Sequence, residues 1–268
     1  MRDSVSWVHH FEPYTATHAC VVAAFVMLVA AMVAMRRRDD IATVPPNRRA
    51  MDYAIGYIGL AAAVFVQVVT LWPGRFDVWT SLPLHVCDIC MFVAPLSLLL
   101  GWRPLRAIAY FWGLGLSSMS FIFPDLRFGP GDFQFWVFWT GHATIVGTAL
   151  YDITARGYRP RFGDWWIAVK FGVFYAGTIF LVDALWHFNY GYVGQTYKNQ
   201  RSPADFLGPW PWRVPLMVAM AFAAMFLLLA PWLLWRRHGG TGYQSAIRGM
   251  PRMSALFHRR SDRASEGV

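Results

Sequence analysis

The stretch from Leu82 to Leu100, LPLHVCDICMFVAPLSLLL, constrains the fold of this chain more than any other. It is long and apolar enough to cross a lipid bilayer as a helix. Its first half nevertheless carries His85, Cys87, Asp88 and Cys90. An ionisable side chain at membrane depth costs about 2.5–3.5 kcal/mol, so such groups usually face a protein interior and often mark a site. We therefore predict a membrane helix whose first half belongs to a functional site.

The composition of the whole chain agrees with a membrane protein. Of its 268 residues, 56% are hydrophobic and only 15% are charged. A soluble domain of that composition would expose larger apolar patches than soluble domains tolerate. The net charge of +9 does not indicate nucleic-acid binding, because the basic residues cluster at the ends of apolar runs. We expect membrane lipids as partners and no nucleic acid.

Seven apolar runs are predicted to be transmembrane helices, which gives an all-α, polytopic membrane protein. The predicted spans are about 19–35, 52–72, 82–101, 105–123, 133–154, 165–187 and 214–235. They form one transmembrane domain over residues 1–237. Residues 238–268, rich in Gly, Ser and Arg, are predicted to form a basic, disordered cytoplasmic tail.

The distribution of basic residues predicts the orientation of the spans. With the N-terminus outside, the inner loops and the tail contain most of the 24 Lys and Arg residues. Positively charged loops remain on the cytoplasmic side of a membrane. The sequence therefore predicts an N-out, C-in topology.

This topology places several polar residues towards the outer ends of the third, fifth and sixth spans. At about 1.5 Å per residue, His85 and Cys87 lie roughly 5–8 Å below the outer end of the third span, and His142 lies about 12–14 Å below the outer end of the fifth. The polar residues concerned are His85, Cys87, Asp88, His142, Asp183, His187, Asn189 and Tyr190. We expect them to line one cavity that opens to the outer leaflet.

Such a group of residues suits acyl transfer, in which a cysteine thiol attacks an ester and a histidine takes the thiol proton. On an ideal helix Cys87 lies nearly opposite His85, so the base should come from another helix. Three alternatives remain: a zinc-dependent lipid hydrolase, a transporter or lipid-binding protein, and simple packing of polar groups. The zinc pattern is weak, because no H-E-x-x-H or H-x-x-x-H spacing occurs. We therefore expect no metal ligands and no cofactor.

Five motifs carry a resemblance to a known family. They are LPLHVCDIC, YFWGLGLSS with a following PDL, FWVFWTGHATIV, FNYGYV and LGPWPW. In this order they resemble the YwaF-like family of bacterial integral membrane proteins. That family is similar to the eukaryotic transmembrane protein 164 family, and acyltransferase activity on ether phospholipids is attributed to a eukaryotic member.

The resemblance implies seven membrane helices in a bacterial cytoplasmic membrane and a phospholipid acyltransferase activity. It implies that Cys87 is the acyl-accepting nucleophile and that His142 is its partner. In this interpretation His85 and Asp88 shape the catalytic site. The residues expected to bind the substrate are Asp125, Asp183, His187, Asn189 and Tyr190.

Overall fold

The computed structural model of the chain describes residues 6–41, 48–196 and 203–248. These residues form helices and loops without a β-strand, and a single isolated bridge pairs His10 with Phe128. The α-helices are α1 (Ser6–His9), α2 (Ala16–Ile41), α3 (Arg48–Thr70), α4 (Val86–Leu100), α5 (Arg103–Gly115), α6 (Phe133–Thr154), α7 (Phe162–Trp186) and α8 (Arg213–Arg248). Short 3-10 turns occupy Ser117–Phe121, Tyr190–Tyr192 and Pro203–Leu207.

Each predicted span overlaps one of the helices α2 to α8. Four of these helices contain segments that are long and apolar enough to cross a membrane: Ala16–Ala34, Ala50–Thr70, Phe162–Trp186 and Arg213–Leu234. The apolar helix α4 is shorter, and α6 begins and ends at the predicted residues. The all-helical fold is confirmed, whereas seven membrane crossings and their orientation stay predictions.

Helix α5 is the most enclosed helix of the fold. Its residues from Ala107 to Gly113 are all buried, and α4, α6 and α7 pack around it. A Cβ at Gly113 would lie 3.2 Å from Cγ2 of Ile145, so the missing side chain lets α6 approach closely. The α-helix ends at Gly115, and a 3-10 turn follows where the predicted span continued to residue 123.

The packing of α4 fixes its register against two neighbours. A Cβ at Gly141 of α6 would lie 3.1 Å from Sδ of Met91 in α4. Further along both helices, Pro95 and Thr144 each lie 3.2 Å from a Cβ placed at Gly59 of α3. Because both residue numbers increase together, α4 and α6 run parallel.

A network of ion pairs joins the helices at the end of the bundle where α4 finishes. Arg106 of α5 forms two hydrogen bonds of 2.8 Å with Asp152 of α6. Arg103 donates to Asp164 of α7 at 2.6 and 2.7 Å, and Tyr158 lies against both arginines. Each of these buried carboxylates therefore has a cationic partner, which buried charges normally need. We call this the arginine end, and we call the other end, where α4 begins, the site end.

The chain forms two compact units, Met1–Leu229 and Ala230–Val268. The first unit contains α1 to α7 and the greater part of the predicted seventh span. Within the second unit α8 continues to Arg248, past residue 238, where we predicted a disordered tail to begin. Residues 249–268 of that predicted tail lie outside the described residues.

Candidate functional site

Helix α4 begins later than the sequence predicted. Its first residue is Val86, and His85 precedes it in an extended conformation as the N-cap. Asp88 accepts the backbone N–H of His85 at Oδ2 over 3.0 Å, which fixes the start of the helix. Pro83 is an exposed residue ahead of the helix. His85 therefore lies outside the helix. The direction of its imidazole is not set by the helical geometry from which we predicted that Cys87 lies nearly opposite it.

Cys87 and Asp88 form the chemical centre of this helix start. The Sγ of Cys87 donates to Oδ1 of Asp88 at 3.9 Å, and both side chains are half-buried. The two oxygens of Asp88 thus have different partners, one the backbone of His85 and the other the thiol. Cys90, one turn further along, is completely buried. Cys87 is the more accessible of the two cysteines in α4.

The loop that follows α7 covers this helix start. The backbone N–H of Gly191 donates to Nδ1 of His85 at 3.2 Å. The Tyr190 ring packs edge-on against His85 at 5.1 Å, and its hydroxyl donates to the carbonyl of Val78 at 2.6 Å. Leu82 donates its backbone N–H to the same hydroxyl at 3.2 Å. The loop and the residues before α4 are therefore held together by hydrogen bonds.

Tyr192 connects this loop to the segment before α6. Its hydroxyl donates to Oδ2 of Asp125 at 3.0 Å, and its ring lies 6.0 Å from that of His85. It also interacts electrostatically with Cys87. Burial raises the pKa of Tyr192, so the phenol stays protonated and can donate at neutral pH. Its φ of 63° is unusual for a bulky residue, and such conformations cluster at functional sites.

Asp183 lies at the end of α7 beneath the same loop. It is buried, and its Oδ1 accepts the backbone N–H of Tyr190 at 3.1 Å. Its Oδ2 and the Oδ1 of Asn189 are buried and have no hydrogen-bond partner within the described part of the chain. His187, which we expected to line the same cavity, caps α7 in a left-handed conformation and is exposed.

The carboxylates at the two ends of the bundle differ in their partners. At the arginine end, Asp152 and Asp164 each pair with an arginine. At the site end, Asp88 and Asp183 accept hydrogen bonds from backbone N–H groups, and no Lys or Arg within the described ranges forms an ion pair with either. A carboxylate without a cationic partner can still accept or release a proton, which is the property that acid–base chemistry requires.

His142, the predicted partner of Cys87, lies elsewhere in the bundle. Its Nδ1 is 2.7 Å from the carbonyl oxygen of Phe138, and its ring lies 4.4 Å from that of Phe138. The neighbouring Gly141 packs against Met91, which lies about 6 Å along the axis of α4 from Cys87. No hydrogen bond joins Cys87 to His142 in the described residues. The structure thus gathers His85, Cys87 and Asp88 with the loop but leaves His142 about one turn deeper.

Two further residues of this site were missed by the sequence reasoning. Tyr175 of α7 donates its hydroxyl to the carbonyl of Leu84 at 2.7 Å and interacts electrostatically with Cys87 and Asp88. A phenol within an apolar helix needs a hydrogen-bond partner. That requirement is the feature of the sequence that could have indicated Tyr175 as a residue of the site. Tyr192 occurs in the FNYGYV motif, but nothing in the motif identified Asp125 as its partner.

Neither a metal site nor the predicted cavity can be assigned to these residues. No group of three or more His, Cys, Asp or Glu side chains in the described ranges has an arrangement that could hold a metal ion. A shallow apolar groove is lined by Tyr57, Leu60, Ala61, Val64 and Phe65 of α3, and no residue of the candidate site lines it. The outer-leaflet cavity therefore stays a prediction.

The chain matches the model of the TMEM164 family over residues 13–229. This range contains every residue of the candidate site. No curated protein and no solved structure matches the chain significantly.

Proposed function

The chain belongs to the TMEM164 family, and we propose that it is a membrane-embedded enzyme that transfers acyl groups between lipids through Cys87. The apolar helices support a multi-pass membrane protein in contact with lipid. The observation that carries the proposal is the half-buried thiol of Cys87, which donates to a carboxylate that has no cationic partner. A thiol beside a proton acceptor can form an acyl thioester.

The proposed reaction begins with attack of the Cys87 sulfur on the carbonyl carbon of a lipid ester. The S–H proton passes to Oδ1 of Asp88, the S–C bond forms, and the π electrons of the carbonyl move onto its oxygen. When this intermediate collapses, the C–O bond to the lipid alcohol breaks and Asp88 returns the proton to the leaving oxygen. A second lipid alcohol then takes the acyl group from the thioester by the reverse sequence.

The identity of the base distinguishes two versions of this mechanism. The family resemblance assigns the proton to His142, whereas the contacts of Cys87 favour Asp88. The Nδ1 of His142 must carry a hydrogen to bond the Phe138 carbonyl, so the Nε2 of the neutral ring has a free lone pair. We therefore keep His142 as a second candidate base, acting through water or after a local movement.

The residues around the loop are proposed to receive the lipid head group. Tyr190 bonds to Leu82 ahead of the helix start, and Asp125 accepts from Tyr192, which interacts electrostatically with Cys87. Asp183 accepts a hydrogen bond from the loop at Tyr190, and Asp183 and Asn189 each have an oxygen without a hydrogen-bond partner in the described part of the chain. We propose His187, which is exposed beside this loop, as a contact at the entrance.

The proposed topology has seven membrane crossings, an outer N-terminus and an inner C-terminus, in the cytoplasmic membrane of a bacterium. It places the site end at the outer leaflet and the arginine end at the cytoplasmic surface. This arrangement favours an enzyme over a transporter, because a transporter needs a polar route to both sides. At the arginine end, the described carboxylates are instead engaged in ion pairs between helices.

The proposal is tested by lipid acyl exchange in nanodiscs that contain a diacyl phospholipid and an isotope-labelled lysophospholipid. We expect labelled diacyl lipid to appear with the wild-type protein and with Cys20→Ser, and to be lost with Cys87→Ser. Asp88→Asn should be as inactive as Cys87→Ser if Asp88 is the base, and His142→Ala should be inactive if His142 is. Full exchange by Cys87→Ser would refute the proposed nucleophile.

A further inference from the structure

The two histidines near α4 differ in the nitrogen that carries the hydrogen. The Nδ1 of His85 accepts the backbone N–H of Gly191, so this nitrogen must present its lone pair. In the neutral imidazole the hydrogen is then on Nε2, because the bond made by one ring nitrogen fixes the state of the other. His142 has the opposite arrangement, with its hydrogen on Nδ1. His85 is thus set up as a hydrogen-bond donor and His142 as an acceptor.

The Nε2–H of His85 has no acceptor among the described residues and is not sealed from the surroundings. This atom forms no hydrogen bond within the described residues. It is also not fully buried, unlike the partnerless Oδ2 of Asp183. The side chain as a whole is half-buried. An oriented donor left without a protein acceptor can serve an oxygen of a bound molecule.

Tyr192 is a shared neighbour of His85 and Cys87. Tyr192 packs 6.0 Å from the His85 ring and interacts electrostatically with Cys87. Asp125, which accepts from Tyr192, interacts electrostatically with His85. The Gly191 bond and the Tyr190 ring hold the imidazole in one orientation. A group fixed in this way needs no reorganisation when charge develops nearby.

We propose that His85 is an electrophilic catalytic residue that donates its Nε2–H to the carbonyl oxygen of the lipid ester, an inference that rests on the proposed acyl transfer. As the sulfur of Cys87 attacks the carbonyl carbon, the π electrons move onto this oxygen, and the Nε2–H hydrogen bond stabilises the negative charge. The hydrogen stays on His85 throughout. His85 therefore has a different role from the base, whichever of Asp88 and His142 that is.

Two substitutions separate the donor from the structural tie to the loop. In His85→Asn the amide oxygen takes the place of Nδ1 and can accept from Gly191, but no donor remains at the Nε2 position. In His85→Gln the amide nitrogen can take the place of Nε2 and keep the donor. Removing one such donor from an acyl-transfer enzyme typically costs about 10²- to 10³-fold in turnover.

We expect His85→Asn to lower the rate of acyl exchange by about 10²-fold or more. The rate of His85→Gln should be at least about tenfold higher than that of His85→Asn. His10→Asn, at an imidazole that is 58% exposed, is the matched control and should exchange at the wild-type rate. The rate at which a small maleimide alkylates Cys87 reports on the loop, and it should be the same in His85→Asn and wild type. Nitrogen-15 NMR of labelled protein should show the hydrogen of His85 on Nε2.

The inference is overturned if His85→Asn exchanges acyl groups at the wild-type rate, if His85→Gln is as slow as His85→Asn, or if the hydrogen is on Nδ1. Faster alkylation of Cys87 in His85→Asn would also overturn it, because the loss would then come from an opened loop. A wild-type protein that exchanges no acyl groups would instead refute the proposed function itself. The two failures are therefore distinguishable.

Discussion

Replacing Gly191 with alanine is expected to destabilise the loop that covers Cys87. Gly191 has φ 60° and ψ 11°, the left-handed conformation that costs an L-residue about 1–2 kcal/mol. A Cβ at this position would lie only 2.5 Å from the hydroxyl oxygen of Tyr175. That hydroxyl cannot move freely, because it donates to the carbonyl of Leu84 at 2.7 Å. Losing this bond costs about a further 1–2 kcal/mol, so the total is about 2–4 kcal/mol.

A double-mutant cycle separates the two contributions. In Tyr175→Phe the hydroxyl is absent, so Gly191→Ala should then cost only the conformational part, about 1–2 kcal/mol. The double variant should therefore be more stable than the sum of the single variants predicts, by about 1–2 kcal/mol. The free energy of unfolding can be measured by SDS titration of the protein in mixed micelles.

Gly177 of the same helix as Tyr175 provides the control. No atom lies within 4 Å of a Cβ placed there, and its backbone is helical. Gly177→Ala should therefore be neutral or stabilise the protein by up to about 1 kcal/mol. Additive costs in the Gly191–Tyr175 cycle, or a harmless Gly191→Ala, would refute the close contact on which this account of the loop depends.

Further predictions concern the arginine end and the topology. Arg106→Ala should destabilise the protein by about 2–3 kcal/mol in the same titration, because the buried carboxylate of Asp152 loses its bidentate partner and keeps the longer contact with Arg156 at 3.5 Å. Arg106→Lys should fall between this variant and wild type, since lysine keeps the charge but not the paired hydrogen bonds; equal stability of all three proteins would contradict the role of the network. In a cysteine-free background, a cysteine at Gln195 should react with an impermeant maleimide from outside the cell, and one at Asn47 should not. Labelling of position 47 from outside would overturn the N-out topology.

Much of the helical framework could be predicted because hydrophobic length determines it. Helix α6 begins at Phe133 and ends at Thr154, as the apolar run indicated. The start of α4 could not be located from hydrophobicity, since Leu82 and Leu84 are as apolar as the helix that follows. Their backbone groups bond Tyr190 and Tyr175, which are about 90 or more residues away in the sequence. Distant hydrogen bonds of this kind leave no local pattern.

The candidate site was partly predictable for a similar reason. Cys87 and Asp88 stood out as polar residues in an apolar stretch, and the structure places them in contact. The predicted pairing of Cys87 with His142 depended on the register between α4 and α6. No single segment of the sequence determines that register. The contact of Met91 with Gly141 sets that register and leaves His142 deeper than Cys87. The predicted span ended at residue 187, whereas α7 ends at Trp186 and His187 is its C-cap.

Direct detection of an acyl thioester tests the central claim, that Cys87 accepts an acyl group from a lipid. The purified protein is incubated in nanodiscs with a phospholipid that carries an alkyne-tagged acyl chain, quenched in acid and digested, and the tagged peptide is identified by mass spectrometry. The account predicts a tag on Cys87 that hydroxylamine removes, that is absent in Cys87→Ser and that persists in Cys20→Ser and Cys90→Ser. A tag on Cys20 or Cys90 instead, or a wild-type protein that exchanges acyl groups without any tagged cysteine, would contradict it.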